Sequence, residues 1–502
     1  MTSTLESGPG GTAASTDPHD ERRWWILIVV LLSQMMILID ATIINVALPS
    51  AQRALDLSDA SRQWVITAYV LAFGSLLPLG GRLADIVGRK RLFVVSLIGF
   101  GVFSALAGAA PNTDVLLISR VLQGVFAAAL APTAVSTIAV IFTDPAERNR
   151  AFAVFGAVAG SAGAIGLLLG GVLTDYLDWR WTMYVNVAFA IPALAGALWL
   201  MVGTVGGNRP RLDILGTGLA SGGLFLVVFG LSRAEVDGWS AGITVGSLVA
   251  GVILLVLFLV SQRLVVDPLI PLRVLANRNR SAAYLTLTLG SASLFAVFLF
   301  LTYYFQDILG YSPVRTGLAF LPLPLSIGVV ATITQRTLLK RLDARQIIAG
   351  GLAVAAVGAG LLTQADLHSN YASWVLPGLI LIGGGIGLSL VPAIAMGSVT
   401  DDPRDAGSAG GMSNVSQQIG AAVGVALISS IVANATSDYF GAHGAGPNVM
   451  SDAALHGFGV GYWWAAGVFA VGAVSCGALI TARTRLDSEA TVERIEEAIP
   501  AV

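Results

Sequence analysis

The 502-residue sequence predicts an all-α membrane protein with fourteen transmembrane helices arranged as two six-helix bundles plus two extra central helices. Three observations carry that reading. The chain is 55% apolar and 12% charged and holds 58 glycines, and its mean hydropathy of +0.79 lies outside the range of soluble domains. Fourteen apolar segments are long enough to cross a hydrocarbon layer about 30 Å thick. The basic residues, almost all arginine, concentrate on one of the two sides those segments define.

In order, the segments fall near residues 24–48, 62–81, 92–110, 115–141, 151–174, 181–203, 214–232, 240–261, 282–305, 314–334, 347–364, 372–397, 408–433 and 459–481. With both termini inside, the inner segments hold 22 Lys and Arg against 5 in the outer loops, and Arg120 lies within a span. A wrong span count would scramble that contrast, so it supports count and orientation together. Residues 1–21 are rich in Gly, Ser, Thr and Asp and read as a disordered inner tail. Residues 22–205 and 266–485 form the two six-span bundles, 206–265 the extra pair, and 486–502 a second inner tail. No cleavable signal precedes the first span, which then acts as its own insertion signal. Weak internal symmetry supports the halves: Thr143-Asp144-Pro145 opens span 5 and Thr400-Asp401-Asp402-Pro403 opens span 13. Inner loops of any membrane protein collect such residues, so the loops alone leave this open.

A net charge of -2 argues against a nucleic-acid partner. The single cysteine, Cys476, lies in the last apolar run and suits packing, with no disulfide framework and no Cys cluster for zinc. Phosphate-cradling Gly-rich loops with Lys, His-Glu metal spacings and Ser-x-x-Lys pairs are absent from the sequence, which argues against ATP-driven transport and hydrolysis.

The charged exception in span 1 is Asp40, in the run Leu38 to Pro49. At about 1.5 Å per residue it lies roughly 23 Å above Trp24-Trp25 and roughly 14 Å below Pro49, well inside the hydrocarbon. A carboxylate there costs on the order of 3 kcal/mol and normally faces a protein interior or a wet cavity. The bland alternative is an acid that merely orients one helix. Arg120, in span 4, lies about 9 Å below that span's outer end by the same rise, so the two charges match in depth. A guanidinium beside Asp40 favours its ionised form and withdraws that preference when the helices part, which outlines proton coupling. A static ion pair stapling two helices is the alternative. The four histidines fall in tails or outer loops, so none is placed to relay protons.

Between spans 2 and 3 runs Gly81-Arg82-Leu83-Ala84-Asp85-Ile86-Val87-Gly88-Arg89-Lys90-Arg91. Its glycines allow a tight turn, Asp85 can face a helix N-terminus or an Arg, and the cations anchor the loop inside. Such a network can act as a gate, with Gly81, Asp85, Gly88, Arg89 and Lys90 as its parts. Composition alone supports only a positive-inside loop.

Here the sequence resembles a family. The segment is similar to the loop 2-3 signature of the major facilitator superfamily, Gly-x-Leu-Ala-Asp-x-x-Gly-Arg-Lys. Arg120-Val121-Leu122-Gln123-Gly124 resembles its span 4 motif, and Leu38 to Pro49 the span 1 motif of the fourteen-span drug:proton antiporters. Trp179-Arg180-Trp181 with Asn186 is similar to that family's start of span 6, and Tyr311-Ser312-Pro313 with Gly317 and Pro322 to its start of span 10. The resemblance implies the major facilitator fold and, for Arg120, a part in proton transfer. Span 5 departs from the pattern: Gly166-Leu167-Leu168-Leu169-Gly170-Gly171 has Leu167 where antiporters carry proline, which removes an expected kink. Gly156, Gly160, Gly163 and Gly170 fall on one helical stripe and, with Gly166 and Gly171, allow close packing on a partner span. Ala188 is a smaller departure.

Span 9 carries Phe295, Phe298, Phe300, Tyr303, Tyr304 and Phe305, and span 2 Trp64, Tyr69 and Phe73. With Gln34, Asn45, Gln417 and Gln418 they sketch a pocket for amphipathic aromatic molecules, Gln34, Asn45, Trp64, Tyr69, Phe298 and Gln417 being the candidate cargo contacts. A lipid-facing interface belt is the competing reading for most of these aromatics. The outer loop 434–458, rich in Gly, Ala, Asn and Asp, is expected to be mobile.

The expectation is a monomeric transporter, not an enzyme, in a bacterial cytoplasmic membrane. It exports drug-like or antibiotic compounds in exchange for protons and needs no cofactor beyond the proton gradient. Its partners are a small-molecule substrate, protons and the lipid bilayer. Uptake or facilitated exchange of a metabolite by the same fold is the alternative, and a membrane enzyme or lipid-handling protein the one from another class.

Overall fold

A computed structural model describes residues 18–142, 144–201, 213–265, 268–269, 272–366, 370–398, 406–444 and 449–481, and among them there is no strand. The first bundle comprises α1 (Pro18–Leu55), α2 (Asp59–Val87), α3 (Arg89–Gly108), α4 (Thr113–Ile141), α5 (Pro145–Tyr176) and α6 (Trp181–Leu200). Then come α7 (Ile214–Asp237) and α8 (Gly242–Ser261), and a short helix, α9 (Leu272–Ala276). The second bundle holds α10 (Arg278–Tyr303), α11 (Pro313–Phe320), α12 (Pro322–Arg336), α13 (Ala344–Leu362), α14 (Leu376–Ser398), α15 (Ala406–His443) and α16 (Val449–Leu479).

Local chemistry sets where these helices start. Ser58, Asn112, Asp144, Asp213, Asn277 and Ser312 each accept a hydrogen bond from a first-turn amide of α2, α4, α5, α7, α10 and α11, satisfying donors the helix leaves orphaned. Pro145 and Pro313 occupy first-turn positions, where a missing amide costs nothing. Among the described residues, twelve helical stretches are long and apolar enough to cross a membrane, while α2 and α5 carry shorter apolar stretches, Trp64–Leu77 and Ala162–Tyr176. At 29 and 32 residues these two are nonetheless roughly 44 and 48 Å long at 1.5 Å per residue. The described residues therefore show twelve membrane-length apolar stretches, consistent with twelve to fourteen spans.

In the first bundle α2 lies on α4, α3 on α4 and α6, and α1 on α5 and α6. In the second, α13 packs on α14 and α16, α10 on α15 and α16, and α12 on α14. Two seams join them: α5 against α11 and α12, and α2 against α15. The α7–α8 hairpin is central in sequence only. Helix α7 seats against both α2 and α15, where Ser221 donates to the Ser75 carbonyl at 2.7 Å. Helix α8 packs on α7 and leaves Ile243, Val249, Val252, Val256 and Val260 exposed, a surface that only a hydrocarbon environment suits.

Several expectations need correction. Helix α1 already begins at Pro18, inside the supposed tail, because backbone hydrogen bonding continues past the apolar slab; residues 1–17 lie outside the described residues. The expected loop between spans 2 and 3 is two helices meeting at Gly88, whose φ of +95° reverses the chain where a side chain would be strained. Span 10 is broken into α11 and α12 at Leu321-Pro322, where proline removes a donor. The supposed mobile segment 434–458 is largely the ends of α15 and α16, which carry His443 and His456, with 445–448 outside the described residues. Thr400 to Arg404 also lies outside them, so the proposed repeat is not visible there.

Candidate functional site

Helices α1, α4 and α6 bring four polar side chains together inside the first bundle. Asp40 is 0% exposed and Arg120 0%, and the guanidinium donates through Nη1 to Asp40 Oδ2 at 2.7 Å. Asp40 Oδ1 accepts from Asn186 Nδ2 at 2.7 Å and from Gln123 Nε2 at 3.4 Å. Arg120 also donates through Nε to the Val65 carbonyl at 3.0 Å and through Nη1 to Gln123 Oε1 at 3.1 Å. Its guanidinium carbon stands 4.3 Å from the centre of the Tyr69 ring. Every strong partner of the pair is therefore protein, and a buried ion pair needs such support to offset its desolvation. The depth match read from the sequence holds: the two charges meet.

Sequence reasoning picked out Gln123 and Asn186 only as residues of family-like motifs and gave neither a role at Asp40. Gln123 follows Arg120 by three residues and so shares its helix face, a signal that was there to use. Asn186 is a lone amide in an apolar span. Ser104, which accepts from Asn186 Nδ2 at 2.9 Å and donates to the Met183 carbonyl at 2.8 Å, looks like any small polar residue in a sequence.

Glycines make the approach of α1 and α5 possible. A Cβ at Gly166 would strike Thr42 and the Ile39 carbonyl, and one at Gly170 would come within 2.9 Å of the Ile43 carbonyl oxygen. Gly171 faces Pro313 and Val314 of α11, and Gly317 of α11 faces the Leu167 carbonyl, so this stripe closes the seam between bundles as well. Leu167 is fully buried there, and α5 runs unbroken through it. A Cβ added at Gly163 would meet nothing within 4 Å among the described residues, so no close packing there requires glycine. Gly156 and Gly160 lie outside the residues whose surroundings are described.

At the Arg-poor end the bundles also lock directly. Gln306, in the π-helical turn that follows α10, donates through Nε2 to the Val46 carbonyl of α1 at 2.9 Å. The Arg62 guanidinium of α2 stands 3.9 Å from the centre of the Tyr303 ring. At the Arg-rich end, Lys90 donates to the Leu198 carbonyl at 2.9 Å and Arg22 through Nε to the Leu200 carbonyl at 3.1 Å, so both cap the C-terminus of α6 within their own bundle. Of the other gate candidates, Gly81 leaves room for a Cβ, which would meet only Pro132 at ordinary distance, Gly88 makes the turn and Arg89 is half-buried; the Asp85 side chain lies outside the described residues.

The cargo candidates scatter. Tyr69 lies beneath Arg120 and belongs to the charge cluster, since burial to 1% exposure leaves it no cavity face. Trp64 packs on Phe229 of α7, ring centres 6.2 Å apart, and Phe298 on Phe320, 5.2 Å apart. Asn45 donates back to the Ala41 carbonyl and Gln417 to the Ser413 carbonyl. Gln34 and Gln417 are half-buried. The span 9 aromatics are not a lipid belt: Phe300, Tyr303, Tyr304 and Phe305 are buried, and Phe305 stacks on Tyr311 at 5.6 Å.

With this geometry in place, comparison with known proteins gives one answer. Residues 30–425 match the Major Facilitator Superfamily profile. The chain is 47% identical over 466 residues to the puromycin resistance protein of Streptomyces alboniger, covering 92% of each. It is 37% identical to the cephamycin export protein of Amycolatopsis lactamdurans, over 80% of this chain and 83% of that one. Among solved structures, the POT family transporter PepTSo superposes with a TM-score of 0.66 at 14% identity, covering 92% of this chain and 99% of its own.

Proposed function

The chain belongs to the Major Facilitator Superfamily, and from that premise we propose that it exports antibiotic-like small organic molecules in exchange for protons, by alternating access. Relatives named for puromycin resistance and cephamycin export support the cargo class. The observation that carries the coupling is the buried Asp40–Arg120 pair at 2.7 Å. A carboxylate this deep inside a bundle is a functional group by default.

The residues divide the work as follows. With the Arg-poor, outer ends locked by Gln306 on Val46 and by Arg62 on Tyr303, Asp40 is paired with Arg120 and cargo enters from the inner side. Rocking of the bundles opens the outer seam, releases cargo and lets an outer proton neutralise Asp40. Neutral Asp40 no longer holds Arg120 by charge, the bundles return, and the proton leaves inward. The protein works as a monomer in a bacterial cytoplasmic membrane with both termini inside, powered by the proton gradient without a cofactor.

Everted membrane vesicles with an acid lumen test this. They are expected to accumulate puromycin, and nigericin, which collapses the pH gradient, is expected to abolish accumulation. Accumulation that survives nigericin overturns proton exchange, and accumulation only in right-side-out vesicles overturns export in favour of uptake.

A further inference from the structure

Resting on the reading of Asp40 as the proton site, we propose that Asn186 is the positioning residue that keeps Asp40 hydrogen-bonded in both of its protonation states. Its amide N–H serves the carboxylate, and after a half-turn of the carboxamide its carbonyl oxygen accepts the acid's O–H.

The case begins with what protonation demands. Ionised Asp40 accepts from Arg120, Asn186 and Gln123. A proton on either oxygen turns an acceptor into a donor, which must find an acceptor of its own in a site without exposure to water. Arg120 has no acceptor atom. Gln123 turns its Nε2 toward Asp40, at 3.4 Å, and its carbonyl toward Arg120 Nη1, at 3.1 Å, so presenting that carbonyl to the acid would break its bond to Arg120. Asn186 differs. Its Nδ2 spends both hydrogens, on Asp40 at 2.7 Å and on Ser104 at 2.9 Å, while its Oδ1 is buried with no hydrogen-bond partner among the described residues.

A half-turn about the last side-chain bond puts Oδ1 where Nδ2 now lies, between Asp40 and Ser104. There its two lone pairs accept from the Asp40 acid and from the Ser104 hydroxyl, which turns its hydrogen away from the Met183 carbonyl. A lysine or arginine at 186 would serve only the ionised acid, whereas an amide serves both forms. The proton comes from the outer aqueous phase and leaves to the inner one, and only the Asp40 O–H bond forms and breaks. Among the described residues, the charged and titratable groups facing Asp40 are Arg120 of α4 and, beneath it, Tyr69 of α2, while α5 offers glycine backbone at Gly166 and Gly170.

Infrared difference spectra of the reconstituted protein between alkaline and acid pH give the test. The wild type is expected to show a protonated-carboxyl C=O band that Asp40→Asn removes. In Asn186→Leu, which fills the same volume and excludes water, that band is expected at higher wavenumber, the signature of an acid with one hydrogen bond fewer. Asn186→Val is expected to give the same shift should leucine not fit. An Asp40 band unmoved in these variants overturns the role of Asn186, as does a wild-type band already at the position of a free acid, which needs no Asn186 variant. Absence of any Asp40-dependent band at either pH instead removes Asp40 as the proton site, and the inference goes with it.

Discussion

Replacing Asp40 by asparagine leaves Arg120 charged, 1% exposed at its side chain and without its counter-ion at 2.7 Å. Removing one partner of a buried pair costs about 3–5 kcal/mol, because the remaining charge is uncompensated. The asparagine carbonyl still accepts from the guanidinium and returns about 1–2 kcal/mol, so the expected loss is about 1–4 kcal/mol. The Tyr69 ring and the Val65 carbonyl hold Arg120 equally in both proteins and do not change that difference. Adding Arg120→Met removes the stranded charge, and neutral replacement of a buried pair is often neutral or stabilising. The double variant is therefore expected within about 1 kcal/mol of wild type, a coupling of about 2 kcal/mol or more. Equilibrium unfolding in mixed micelles measures the cycle, and puromycin accumulation in everted vesicles is expected to be lost in all three variants. Strictly additive losses of stability, or proton-driven accumulation by Asp40→Asn, would refute the reasoning.

Three further outcomes follow from the seams and caps. Arg62→Ala combined with Gln306→Ala removes a cation–π contact worth about 0.5–2 kcal/mol and a hydrogen bond worth about 0.5–1.5 kcal/mol; spin-label distances between the outer ends of α2 and α10 should lengthen, and an unchanged distribution dismisses these contacts as the lock. Gly317→Val would drive a Cβ to within 2.6 Å of the Leu167 carbonyl, overpacking the α5–α11 seam by about 1–3 kcal/mol. Thiol labelling of a cysteine at Val314 should then quicken. In Gly216→Ala the new methyl meets Asp213, whose carboxylate caps α7, and Gln262, which donates to that carboxylate at 2.6 Å. A loss of about 1 kcal/mol in stability is expected, with transport retained.

The two intramembrane charges were legible because the membrane makes them costly. Asp40 and Arg120 stand out from apolar spans, and helical rise alone gave them matching depths. Gln123 was legible in principle by its spacing from Arg120. Asn186, Ser104 and Tyr69 were not, because no sequence rule says which face of α6, α3 or α2 turns toward α1 rather than toward lipid. The span 9 aromatics failed as a lipid belt for the same reason: composition gives the rings, and only packing says that Phe305 stacks on Tyr311 inside the second bundle.

What the sequence determined alone is what one helix in a bilayer must satisfy by itself: length, apolarity, caps such as Asn112 and Asp144, and the side that collects arginine. Those terms are local, and each is paid within a few residues. Tertiary structure decided everything that needs two helices at once. It set the seat of α7 between α2 and α15, the split duties of Gly166 and Gly171, and the Gln306–Val46 lock. A contact between residues 260 apart in the chain depends on the angles of every helix between them, and those angles are fixed by close packing, which no single segment encodes.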